Sequence, residues 1–92
     1  PPSSLTVDAL TQAMAEAPSA VVMTLEAVSV SGNTVRVTVP SDWQNRGKVE
    51  RQREFEALVS VLADKGFAEA VAISAEGVER AKWANGMVNL ID

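Results

Sequence analysis

The sequence predicts an α+β domain: a two-layer sandwich in which a four-stranded antiparallel sheet carries two helices on one face, in the chain order αββαββ. Three observations lead there. Apolar residues recur at helical spacing in two separate segments. Each segment is followed by short runs that alternate or run apolar over strand lengths. Gly- and Asn-containing stretches punctuate the runs where turns are needed. The pattern therefore occurs twice, from roughly Leu5 to Pro40 and from Lys48 to Asp92, without residue identity between the halves.

The first helix is expected to start at Thr6, whose hydroxyl suits an N-cap, with Asp8 set favourably against the helix dipole. Val7, Leu10, Met14 and Ala17 form its apolar stripe, and Pro18 ends it. Strand one is read over Ala20–Val30. Val21, Met23, Leu25 and Ala27 share one face, whereas Val28 and Val30 fall on the other, so a β-bulge is expected near Glu26–Val28. Ser31-Gly32-Asn33 supplies a turn, and Thr34–Val39 follows with Val35, Val37 and Val39 inward. Pro40–Gly47 is a loop. The second helix runs to about Lys65, with Val49, Phe55, Leu58, Val59 and Leu62 expected to be buried. Gly66 and Phe67 are placed to close it with a left-handed cap and a hydrophobic contact. Strand three is Glu69–Ala75. Glu76–Asn85 reads as a polar connection with one helical turn around Val78–Trp83, and Gly86–Ile91 as a final strand. Val35, Val37, Leu58, Leu62, Val71 and Ile73 are the expected core.

Ninety-two residues, 47% of them apolar, make one domain with one modest core. Pro1–Ser4 reads as a linker ahead of a single domain over residues 5–92. The absence of an initial Met has two readings, trimming before Pro or a piece of a longer protein, and the Pro/Ser-rich leader favours the second. The chain has no Cys and no His. It therefore lacks thiolate nucleophiles, the commonest metal ligands and the usual general base. With no catalytic, cofactor-binding or metal-ligating constellation, a non-enzymatic role is expected. The net charge of -4 argues against a nucleic-acid partner, which normally selects a basic stripe.

Arg46, Lys48, Arg51 and Arg53 cluster at the start of helix two, but Glu50, Glu54 and Glu56 are interleaved with them. Mixed signs read as a solvated helix face or the rim of a protein contact rather than a phosphate site. The same three glutamates would need a pocket to act as an acid–base pair, and on an amphipathic helix they are expected to face water. Ser41 and Ser74 lack a base to activate them. Trp43 is read equally as an exposed interface anchor or as a cap on the core, and Trp83 as a cap. The candidate interface residues are Trp43, Arg46, Arg51, Val88 and Leu90.

Several stretches carry a resemblance: Leu10–Ala17 into Val21–Leu25, Ser31–Val37, Phe55–Leu62, Gly66, Val71–Ile73 and Asn85–Leu90. In this order they resemble the periplasmic ferredoxin-like domains, in permuted order, of the type II secretion inner-membrane platform proteins (L and M subunits). The type IV pilus assembly proteins N and O are similar. That resemblance implies a periplasmic scaffold, anchored in the inner membrane through an upstream segment, that dimerises with itself or a paralogous subunit. A rival resemblance to BolA rests on Trp43, Arg46, Val49-Glu50-Arg51, Arg53, Ala70–Ile73 and Trp83. It implies a small soluble, cytoplasmic regulatory or iron–sulfur trafficking protein. Gln52 stands where the BolA histidine would align, so no cofactor is expected on either reading.

Overall fold

The structure is a computed structural model that describes residues 5–18 and 21–91. The leader Pro1–Ser4 and the expected strand start at Ala20 lie outside those residues. The elements are α1 (Val7–Glu16), β1 (Ala27–Ser31), β2 (Thr34–Thr38), a short 3-10 turn (Trp43–Asn45), α2 (Lys48–Asp64), β3 (Glu69–Ile73), β4 (Glu79–Ala84) and β5 (Met87–Leu90). The α+β class is as expected, with two helices and one sheet. The sheet differs: it has five strands in the order β1-β2-β3-β4-β5. It is also mixed rather than wholly antiparallel, because β2 and β3 run parallel.

The extra strand lies in the stretch expected to be a polar connection. Glu79, Arg80 and Lys82 hide a period-two pattern in which Ala81 and Trp83 are buried and Lys82 is exposed. Asn85 and Gly86 both take positive φ (55° and 74°), which is the two-residue turn that joins twisted strands, here between Ala84 and Met87. The dipeptide is a strong hairpin signal that the expected connection overlooked. Strand one is shorter than expected, since 21–25 carry no regular structure. The phase change is nonetheless real. The Glu26 N–H donates to Thr38 O at 2.7 Å, and Thr38 is also the register partner of Ala27, so two residues face one.

The helix ends follow their residues. Thr6 Oγ1 accepts the Ala9 N–H at 3.1 Å. At the end of α2 the Phe67 N–H reaches Leu62 O and the Gly66 N–H reaches Ala63 O, both at 3.0 Å, with Gly66 at φ 95° and Phe67 buried. That pair of bonds is the Schellman closure expected there. The inner face of α2 is rotated from expectation. Val49 is 72% exposed, while Arg51, Glu54 and Val61 join Phe55, Leu58 and Leu62 inside. Burial therefore follows the 51-54-55-58-61-62 stripe.

Register alone fixes the two sides of the sheet. One face carries two unbroken apolar rows, Val30–Val35–Ala70–Trp83–Val88 and Val28–Val37–Ala72–Ala81–Leu90. This face joins Leu10 and Met14 of α1 and Phe55, Leu58 and Leu62 of α2 in a single core. The other face carries Ser29–Arg36–Val71–Lys82–Asn89 and the rows beside it. Val71 and Ile73, expected in the core, are on this outer face. The core side of β3 holds only Ala70 and Ala72, and Val71 lies outside the common core although only 8% exposed. Its row neighbours Arg36 and Lys82 have long apolar stems able to lie over it.

Leu62 has no exposed surface and sits where α2 meets the sheet. Leu62→Ala should cost ~2–5 kcal/mol through the cavity it leaves. Urea unfolding checks this, and a loss below about 0.5 kcal/mol would contradict the packing described.

Candidate functional site

The expected interface residues do not form one surface. Trp43 begins the 3-10 turn, its N–H bonded to Pro40 O at 3.0 Å, and its ring is 2% exposed. The indole Nε1 donates to Glu54 Oε1 at 3.2 Å. Glu54 Oε2 meets Arg46 Nη2 at 2.7 Å, and the same guanidinium lies 3.4 Å from Glu50 Oε2. Arg51, 6% exposed, donates from Nε to Arg46 O at 3.0 Å. These contacts clasp the 40–47 loop to the first two turns of α2. Trp43 thus caps the core, and neither it nor Arg51 presents a side chain to a partner.

The clasp also corrects the expected placement of the charges. Glu54 and Arg51 are buried, not solvated, because each satisfies its polar atoms inside the loop–helix junction. The basic cluster is divided: Arg46 is held by two glutamates and Arg51 is turned inward, while Lys48 and Arg53 are exposed. A cleft of about 220 Å³ beside the clasp is lined by Thr24, Pro40, Asp42, Trp43, Arg46 and Glu54. The Glu54 carboxylate there already accepts from an indole and a guanidinium, which suits a structural acceptor. Gln52 is exposed and donates to Glu56 Oε2 at 3.2 Å. The Ser74 hydroxyl accepts the Val78 N–H at 3.2 Å, closing the β3–β4 turn. Among the described residues no group of three or more His, Cys, Asp or Glu gathers as metal ligands, and no helix is long and apolar enough to cross a membrane.

Accessible features lie on the other side of the molecule. On the helix-free sheet face, Arg36 and Lys82 are both exposed and flank Val71, and neither has an ion-pair partner among the described residues. They share one row across the sheet, on strands about 10 Å apart, two strand spacings. Ile73 lies half-buried in the next row, and Met87 at the far edge is 63% exposed. Val88 and Leu90, the remaining interface candidates, turn half-buried side chains to the core face and stand in the edge strand β5. Sequence reasoning missed Arg36, Val71 and Lys82 as a group, because only the parallel β2–β3 register brings Arg36 beside Val71.

Comparison with family models, with curated proteins and with solved structures finds no match to this chain. Function must be read from the surfaces themselves.

Replacing Glu54 separates the clasp from the rest of the fold. Glu54→Leu leaves the buried Trp43 N–H without its acceptor and should cost ~1–3 kcal/mol. Glu54→Gln retains a carbonyl oxygen for the indole and should cost less. Chemical denaturation of both variants checks the order, and equal stability of Glu54→Leu and the parent would refute the role assigned to the clasp.

Proposed function

We propose that this chain is a non-enzymatic assembly module that binds other protein through the helix-free side of its sheet. In this reading it is the periplasmic scaffold domain of a secretion or pilus inner-membrane platform, pairing with itself or a paralogous subunit. The observation that carries the proposal is the sidedness of β3. This central strand turns its two large apolar side chains, Val71 and Ile73, away from the helices and keeps Ala70 and Ala72 for the core. Val71 is already covered where it lies, but Ile73 is only half-buried. A strand that served only the fold would gain by turning Ile73 inward, since burying an Ile side chain contributes ~1.5–3 kcal/mol.

Arg36 and Lys82 beside that apolar centre supply the charged border that protein contacts use for register and specificity. The two-layer sandwich supports the ferredoxin-like reading in its broad form, and the C-terminal hairpin supports the platform resemblance over BolA. A BolA-like chain would end in a helix or tail near Trp83, whereas here β4 continues into β5. The mechanism is scaffolding: a lasting contact would bury upward of about 1,000 Å² in total, more than one strand edge provides, so the outer face takes part.

Site-directed photo-crosslinking in the native cell tests this reading. A photoreactive residue replacing Arg36 or Lys82 should give a discrete protein adduct, and one replacing the exposed Arg53 of α2 should not. Absence of adducts at both sheet positions, or an equal yield from position 53, would overturn it.

A further inference from the structure

The two edges of the sheet are not equivalent. Thr38 O accepts from Glu26, on the β1 side, whereas the Val39 N–H donates to Ile73 O, on the β3 side. Along β2, then, even-numbered residues bond to β1 and odd-numbered residues to β3. In β1 it follows that Ala27, Ser29 and Ser31 spend their backbone groups on β2. Val28 and Val30, opposite Val37 and Val35, direct their N–H and C=O groups to the free edge. No described residue bonds to them there.

Edge strands in monomers are normally blunted by charge, Pro, a bulge or cover, and here the bulge lies at Glu26–Ala27, ahead of the Val28–Val30 stretch. Ala27-Val28-Ser29-Val30-Ser31 has neither charge nor Pro, and no described element other than β2 packs closely on it. The opposite edge, β5, has α2 against it. The sequence of β1 is also self-complementary about Ser29. In an antiparallel pairing of two copies, Val28 meets Val30, both bringing free backbone groups, so four new hydrogen bonds form. Ser29 meets Ser29 at the two-fold axis as a non-hydrogen-bonded pair. The valines continue the apolar rows of the core face, and Ala27 meets Ser31 on the outer face. No like charges oppose each other at any step.

We infer that the β1 edge is a self-association site whose occupant is β1 of a second copy, joining two five-stranded sheets into one antiparallel, two-fold ten-stranded sheet. This rests on the assembly reading above and names one partner surface for it. The contact along a five-residue strand is only ~17 Å long, so the pairing is weak and concentration-dependent.

The two-fold axis through Ser29 makes the test specific. Ser29 is exposed, its side chain lies on the outer face, and in the dimer it faces itself. Sedimentation equilibrium up to millimolar concentration should show a monomer–dimer equilibrium for the parent chain. Ser29→Lys and Ser29→Glu should each raise the dimer dissociation constant about fivefold or more, as like-charged residues face each other with their Cα atoms ~4.5 Å apart. An equimolar mixture of the two should recover dimer, because Lys then faces Glu. Circular dichroism of each variant confirms that the monomer is intact. Asn89→Lys, on β5, should leave the equilibrium unchanged. A strictly monomeric parent chain overturns the inference, as does dimerisation unaffected by both Ser29 variants or abolished by Asn89→Lys. Weakening by both variants without recovery in the mixture also overturns it, since residue 29 would then not face itself. Adducts at Arg36 or Lys82 alongside any of these results would leave the assembly reading standing while this edge pairing fails.

Discussion

The parallel pairing of β2 with β3 is the constraint from which the rest of the structure follows. Adjacent parallel strands cannot be joined by a hairpin, so the chain must cross over one face of the sheet and return. The crossover is α2, which runs from Lys48 to Asp64 and brings Phe55, Leu58 and Leu62 onto the sheet. Once α2 occupies one face, that face becomes the dry one, and the parity of every strand is settled by register with β2 and β3. The β1 and β4–β5 segments extend the sheet outward by antiparallel pairing, and α1 packs beside α2. The two ends of the crossover are held differently. At its start, Glu54 gathers Trp43 and Arg46 from the loop; at its end, Gly66 and Phe67 close the helix with backbone bonds.

Much of this was legible in the residues, and the reasons are local. Thr6, Gly66 and Phe67 announce helix ends because caps are short-range chemistry. Val35 and Val37 announce a half-buried strand because their neighbours are polar. The phase change near Glu26 was visible as a break in alternation and is a real irregularity in the pairing. What was not legible depended mainly on how segments fold back on one another. Glu54 and Arg51 look like solvated helix charges until the 40–47 loop folds back over them. Val49 looks like part of the stripe, yet the first turn of α2 extends beyond the core and leaves it exposed. In Ala70-Val71-Ala72-Ile73 every position is apolar, so the sequence gives no parity, and only the register shows which pair faces the helices. The β4 strand was obscured by its charges, although Asn85-Gly86 marked the turn that ends it.

The surface that emerges differs from the one the residues first advertised. A loop tryptophan and Arg51 turn out to be internal fittings, and the helix-free sheet face and the uncharged β1 strand remain as accessible features. Both follow from a sheet covered on one side only. A one-sided sheet offers a broad face with polar margins and a backbone edge, two of the means by which proteins add further protein.

Amide exchange along β1, measured residue by residue at low and at high protein concentration, tests the open edge most directly. In dilute solution the Ser29 and Ser31 amides should be slowed by their bonds to β2, while the Val28 and Val30 amides should exchange freely. At high concentration Val28 and Val30 should become protected as well. Equal exchange along the strand, or Val28 and Val30 protected at every concentration, would contradict an open edge with this parity.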